Sequence, residues 1–559
     1  MAAKVPHELH SSRERALASR AFSVPVLPCT LVLLRRLSIL CPLVLLCALA
    51  HFCVLALHPR TTHAAQWNDR SLIGSRILSP DFLGNEKLDE AWRRGDFDHS
   101  TSLLPPRDYA EAARRFPTLA QLLGSATAPA RTANDSIPLG FSAQSDLKIL
   151  AFGANPPRQL EPIFLNVREG EAVDPAWRAR LGFWLDSGLA KGLSAHLRFV
   201  FDGEGKNDTH NRTRDYTQLG ASNNLDEAYL RYKTGRAAFT LGRRFLQWGP
   251  ERLGSIVLSS TAPAPDLVQA EIDLGKHRLQ AFAGQLSTEL VDSTNYHRSL
   301  YGHRIDFSLG SFGRLGLSEL AVVSDRAGGF DLKYLNPVSL YVVAQTEKGS
   351  SDQKTVNIFH SIDGEFWWKS WHPYGAFLVD DLQIDASARK KWPHQLALAV
   401  GVDRALGPRF LASYEYRRIG SWTYLHRGLG TDAQHFERPL GAPEGPDTDR
   451  HFLQLSYTAT KNTRLWIAGE HWRRGVNRLS TEESREGHAG EPYPRPPLET
   501  RWVLEAGAQW ELAQRARARL QLAWHSIDGV NNTTQNLEVV ELRAYLQLFT
   551  PPLAWLLGG

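Results

Sequence analysis

After Cys53 the chain contains no cysteine: all four, Cys29, Cys41, Cys47 and Cys53, sit in the N-terminal segment. Nothing downstream can rely on a disulfide or a thiolate-held metal. Long apolar runs are missing as well. Outside the first sixty positions no stretch of eighteen apolar residues occurs in 559, which excludes a helical membrane protein for the remainder. A strong charge of one sign is also absent. The net +5 is small for this length and gives no argument for a nucleic-acid partner. Nor does the chain carry a nucleophile elbow, a helical His-Glu-x-x-His site, a phosphate loop or paired cysteines, so it reads as a non-enzyme. His297, His303, His360, His471 and His525 are scattered and read as lone lumen or girdle residues.

What is present is a rhythm. From about Leu160 to Phe549, eighteen strand-like segments are joined by connections that alternate between very short and long. Trp502, Leu504, Ala506, Ala508 and Trp510 alternate with Arg501, Glu505, Gly507 and Gln509, and Ala516 to Trp524 repeat the pattern against Arg515, Arg517, Arg519 and Gln521. On a strand such alternation makes one face apolar and the other polar. A soluble sandwich alternates too, but segments of about ten residues with Trp at the ends of the apolar row fit a membrane barrel with its interfacial girdle. Tight connections fall at Gly275, Ser370, Lys461 and Gln514, and long polar ones at 203–224, 245–265, 326–354, 421–446 and 475–498.

The expected fold is therefore an all-β transmembrane barrel of about eighteen antiparallel strands in the cell outer membrane, with short turns in the periplasm and long loops outside. It spans 158–549. Its first strand is read at Leu160 to Glu169 despite Pro162, with Leu147 to Phe152 as the competitor. The last strand ends at Phe549, and 550–559 forms a tail kept out of the ladder by Pro551 and Pro552. Arginines such as Arg178 and Arg180 share the inward face. They would either draw anionic solutes or pair with carboxylates across the lumen.

Ahead of the barrel, residues 1–65 read as an export signal: Arg35 and Arg36, an apolar stretch, then cleavage near Ala65, with Ala48 and Ala50 or an uncleaved anchor as alternatives. Residues 66–157 show helical periodicity, with Glu86 to Arg94 capped by Asn85 and Arg107 to Leu123 interrupted by Pro117. A small α-helical subdomain of this kind can plug the periplasmic mouth or pack on itself.

Four ordered segments carry a resemblance: the run from Leu241 through Arg243, Arg244, Trp248-Gly249-Pro250 and Arg252 to Pro263; Leu335-Asn336-Pro337; Phe377 to Asp385; and Glu415 to Ile419 with Trp422-Thr423-Tyr424. Together they resemble the Wzi-type capsule assembly family. That resemblance implies an eighteen-stranded barrel with an N-terminal helical bundle, a surface lectin that binds capsular or other surface polysaccharide and needs no cofactor. No counterpart of the family's opening pattern is found in 66–157. Trp248, Asn336, Asp381 and Tyr424 all follow odd-numbered strands, so they are expected to gather at, or fold inward from, the extracellular end. Aromatic faces suit sugar CH surfaces, and guanidinium, amide or carboxylate groups suit hydroxyls and uronates. The candidate polysaccharide ligands are Arg243, Arg244, Trp248, Arg252, Asp380, Asp381, Gln383, Tyr424 and His426. The plainer readings are loop packing for Trp248 and pairing of Arg243 and Arg244 with Asp380 and Asp381. The acidic residues Asp380, Asp381 and Asp385 lack the spaced loop of a calcium site, so no metal is expected. The alternative function is a passive porin or export channel for anionic solutes.

Overall fold

A computed structural model of the chain describes residue 93, residues 139–152 and residues 176–549, apart from 191, 204–216, 219–220, 292, 347–354, 427–429, 480, 482–483 and 514–515. The continuous sheet has twenty strands. Two of them, Thr217–Gln218 and Glu289–Val291, are short additions to a neighbour, and the other eighteen form the wall. In chain order these are β1 (Leu139–Phe152), β2 (Ala176–Ala190), β3 (Leu193–Asp202), β4 (Ala221–Thr234), β5 (Ala237–Arg243) and β6 (Asp266–Leu274). There follow β7 (His277–Gln285), β8 (Thr294–Ser308), β9 (Gly313–Asp325), β10 (Thr355–Phe366), β11 (Trp371–Asp381) and β12 (Gln395–Leu406). The circuit ends with β13 (Phe410–Ile419), β14 (Thr448–Thr460), β15 (Thr463–Arg474), β16 (Glu499–Ala513), β17 (Ala516–Asp528) and β18 (Leu537–Phe549).

Each strand pairs antiparallel with the next, and β1 pairs with β18 from Ser142↔Phe549 to Phe152↔Val539. The sheet is thereby closed and leaves no edge to lipid. Connections after odd strands are long and those after even strands are short. Gly275 (φ 79°) and Gly407 (φ 72°) supply the left-handed backbone that two of the short turns require.

The alternation fixes which row meets lipid. On β16, Trp502 and Leu504 are 52% and 60% exposed while Arg501 and Val503 are buried, and on β17 Leu520 and Leu522 continue the outer row. The inward row is a lattice of ion pairs. Arg231 meets Glu271 at 2.7 Å, Arg304 meets Asp363 at 2.5 Å and Asp306 at 2.7 Å, and Arg517 meets Glu511 at 3.2 Å. Arg180 donates to Asp202 at 2.9 Å. Buried charges are tolerable only when compensated, and of the two readings of the lumen arginines, pairing is the one realised at these positions.

The first strand differs from expectation. It is β1, which contains the competing Leu147–Phe152 run and lies inside the span expected to be helical, so the barrel begins near Leu139 rather than Leu160. The segment 160–169, the export signal in 1–65, the helix at 107–123 and the tail 550–559 fall outside the described residues. From the expected helix at 86–94 only Arg93 is described: it is helical and buried, and it donates to Asp403 of β12 at 2.9 Å near the periplasmic end.

The connection after β9 breaks a second expectation. It carries two short helices, α1 (Leu332–Leu335) and α2 (Tyr341–Thr346). Their buried tyrosines, Tyr334 and Tyr341, pack with Tyr301, Ala321, Val323 and Ile358. Those wall residues belong to the outer row, because their neighbours Leu300, Leu320, Val322 and Phe359 point into the lumen cluster. Asn336 therefore lies on a hairpin folded against the outside of the barrel, not inside it. This hairpin shields a charge. Glu319, a carboxylate on the lipid-facing row, accepts the Tyr341 amide at 3.1 Å and meets His303 at 2.9 Å and His360 at 3.0 Å. Left uncovered, it would face hydrocarbon. A third helix, α3 (Ala386–Lys391), stands in the connection after β11.

Candidate functional site

Two extracellular connections, 244–265 and 420–447, turn into the lumen and build a core there. Trp248, Ile256, Val257 and Leu258 from the first pack with Tyr424, Leu440 and Ala442 from the second, against Leu378, Ala397 and Ile419 on the inward rows of β11 to β13. The Trp248 amide donates to Leu258 at 2.8 Å and the Ser259 amide to Leu440 at 2.7 Å. Tyr424 is the rivet. Its hydroxyl donates to the Ile256 carbonyl at 2.6 Å and accepts the Ala442 amide at 3.0 Å. Its own amide, held at a positive φ of 76°, donates to Asp380 at 2.7 Å.

The expected ligand residues divide accordingly. Trp248 is 4% exposed and its ring packs edge-on against Phe282 at 5.3 Å; Tyr424 is 1% exposed. Both belong to loop packing. Asp380 is bound to Tyr424, whereas Asp381 pairs with Arg485 at 2.7 Å. Arg243 donates to Asp266 through Nε at 2.9 Å and Nη2 at 2.6 Å, and Arg244 donates to Gln269 at 2.5 Å, so neither pairs with Asp380 or Asp381. Arg252 reaches across the lumen, its amide to Glu415 at 2.7 Å and its guanidinium to Ser413 at 2.8 Å and to Gln454. His426 bonds Asp432 and Thr431 within its own loop at 2.8 and 2.9 Å. Gln383 donates its amide to His394 at 3.2 Å beside α3. Asp380 and Tyr424 touch directly, and the rest of the nine are spread over strand ends and separate connections without forming one cluster.

Below this core runs a charged layer. Arg417 meets Glu415 at 2.7 Å and Glu444 at 3.1 Å, and Arg450 meets Glu444 at 2.6 Å and Glu470 at 2.7 Å. Burial opposes ionisation of Glu444, yet Arg417 and Arg450 hold its carboxyl below the usual range. Glu251 has the opposite balance. Burial pushes its carboxyl up to about 8, against the Ile256 amide that donates to it at 3.0 Å and the more distant Arg417. Asp432 is pushed to about 7 by burial, opposed by the His426 amide.

An accessible cavity lies elsewhere, at the extracellular rim. Its volume is about 470 Å³, and it is bounded by the connections after β11, β13 and β15. Half-buried Trp392 and Tyr493 face it, with Arg389, Arg418 and Arg495 around them. Arg418 lies over the Tyr493 ring at 4.0 Å, and Arg495 over Trp422 at 5.0 Å. Glu491 balances part of this charge, meeting Arg495 and His488 at 2.7 Å each. Tyr493 is itself pinned by its hydroxyl, which donates to the Ile419 carbonyl at 2.9 Å and also contacts the Thr448 carbonyl. Flat aromatic faces beside guanidinium groups are the chemistry expected for an anionic sugar, but the residues that supply it are not the nine expected from the sequence. The available signal was local: aromatic residues within polar, arginine-bearing connections.

The sequence pattern of the family described as capsule assembly protein Wzi matches residues 199–537. No curated protein sequence matches. Among solved structures the fold is similar to Wzi of Escherichia coli, described as an outer-membrane, carbohydrate-binding β-barrel involved in group 1 capsule assembly. That similarity has a TM-score of 0.53 at 14% identity and covers 85% of this chain and 99% of the other. OccAB4 of Acinetobacter baumannii matches with a TM-score of 0.42 at 6% identity, over 75% of this chain and 100% of the other. OprD of Pseudomonas aeruginosa matches with a TM-score of 0.42 at 9% identity, over 75% and 97%.

Proposed function

From the premise that this chain belongs to the Wzi family of capsule assembly proteins in the outer membrane, we propose that it binds an anionic capsular polysaccharide at the cell surface and holds it by contact, without turnover. The observation that carries this reading is the rim cavity, where three extracellular connections bring Trp392 and Tyr493 together with Arg389, Arg418 and Arg495. The carbohydrate-binding character of the E. coli barrel agrees with it. Against the alternative of an anion channel stands the use of the inward arginines in ion pairs and the occupation of the lumen by two packed loops.

Purified protein is expected to bind acidic capsular polysaccharide, and the double substitution Trp392→Ala with Arg418→Ala to weaken binding about tenfold or more, given the loss of a stacking face and a charge-assisted donor. Unchanged binding by the double variant would reject the cavity as the site.

A further inference from the structure

The floor of the rim cavity does not belong to the lumen. Phe377, Leu396 and Leu398 line it, and register places Phe377 opposite Leu398 and Leu398 opposite Arg418 on adjacent strands. The intervening Leu378, Ala397 and Ile419 are in the lumen cluster, so the row Phe377, Leu398, Arg418 is the lipid-facing one. Phe377 and Leu398 are 38% and 36% exposed. The cavity thus opens downward onto the hydrocarbon-facing wall and upward to the cell exterior. Arg418 is the penultimate residue of β13, at the extracellular end of that strand. Beside it α3 ends in Arg389, Lys390 and Lys391, all exposed. Unlike Arg485 and Arg495, which are paired with Asp381 and Glu491, these three cations have no ion-pair partner among the described residues.

A water-soluble glycan leaves the aliphatic part of a floor continuous with the outer wall unused, and a plain lipid leaves the aromatic faces above it unused. We propose that the rim cavity takes an amphiphile, a phosphorylated and acylated glycan of the outer leaflet, whose acyl chains lie on Phe377 and Leu398 and whose phosphates meet Arg389, Lys390 and Arg418. Cations at this boundary attract anionic headgroups while their stems remain on the apolar wall. The proposal rests on the polysaccharide reading for where a glycan is held, and adds that the held glycan carries a lipid end.

Full-length protein in detergent micelles is tested against lipid A, the same bisphosphorylated disaccharide without acyl chains, and phosphatidylglycerol. Lipid A is expected to bind at least tenfold more tightly than either of the others. Arg389→Glu with Arg418→Glu is expected to lower lipid A affinity by roughly tenfold or more, since each cation near an anionic lipid surface is worth about fivefold. Arg409→Glu, a cation in the short turn after β12, is expected to leave it unchanged. Heat-shifted electrophoretic mobility confirms that each variant is folded. Equal binding of the deacylated disaccharide, or equal binding of phosphatidylglycerol, overturns the proposal, as does an unaffected double variant. If lipid A fails to bind while polysaccharide binding still depends on Arg418, the lipid proposal falls and the polysaccharide reading stands. If both fail, both fall.

Discussion

The hydroxyl of Tyr424 joins two connections that are far apart in sequence, and removing it gives a sharp test of how the lumen is filled. Tyr424→Phe keeps the ring in its place but leaves the Ile256 carbonyl without its donor at 2.6 Å and the Ala442 amide without its acceptor at 3.0 Å. Each orphaned buried backbone group costs about 1–3 kcal/mol, or about 2–6 kcal/mol for the two together. The cost falls on loop docking and not on the wall, because neither group belongs to the strand ladder. Even the lower bound raises the undocked population about thirtyfold. Hydrogen exchange of the reconstituted protein reads this directly. The amides of Trp248 and Ser259, which donate to Leu258 and Leu440, are expected to lose protection by at least that factor, while amides within β14 to β17 keep theirs. Unchanged protection in both loops would refute the idea that this hydroxyl fastens them.

Two further outcomes follow from the buried carboxyls. Glu251 and Asp432 hold their protons to about 8 and about 7 in the folded loops, against 4.5 and 3.8 as ordinary values. The folded state therefore binds more protons than the unfolded one between these limits, and loop stability falls as pH rises from about 4 to about 8. Hydrogen exchange at pH 5 and pH 8, corrected for the intrinsic rate, should show a loss on the order of a few kcal/mol, and Glu251→Gln should remove roughly half of it, Asp432 supplying the rest; a slope that persists unchanged in Glu251→Gln would contradict the assignment. On the outer wall, deleting 330–346 uncovers Glu319 and His303, which Tyr341 covers. The deletion should lower barrel stability by about 2 kcal/mol in a urea titration in lipid vesicles, with partial recovery on adding Glu319→Gln. No recovery would place the loss in packing alone.

Much of the wall was legible because a membrane barrel repeats one rule at every strand. Trp502 and Leu504 against Arg501, and Leu520 and Leu522 against Arg517, could be assigned to faces by period alone. The start of β1 was not, because its alternation is interrupted: Ser145 breaks the apolar row and Ile149 to Phe152 are apolar at every position. Its place becomes clear only from its pairing with both β2 and β18. The direction of the connections was equally hidden. Periodicity tells where 245–265 and 326–354 leave the wall, but not that the first enters the lumen through Trp248 and Ile256 while the described part of the second, 326–346, packs outside through Tyr334 and Tyr341. Trp248, Asp380 and Tyr424 were distinctive because of their types and spacing, and those properties serve the docking of loops. The rim cavity, assembled from Phe377, Trp392, Arg418 and Tyr493, depends on contacts between four separated segments, which local pattern does not encode.

A barrel that presents a binding surface while its lumen stays filled should conduct poorly, and planar-bilayer recording of the purified, full-length protein tests this most directly. Membranes are expected to stay near baseline conductance after insertion, with activity appearing only in loop-undocked variants such as Tyr424→Ala. Large, steady open channels from the wild-type protein would contradict a filled lumen.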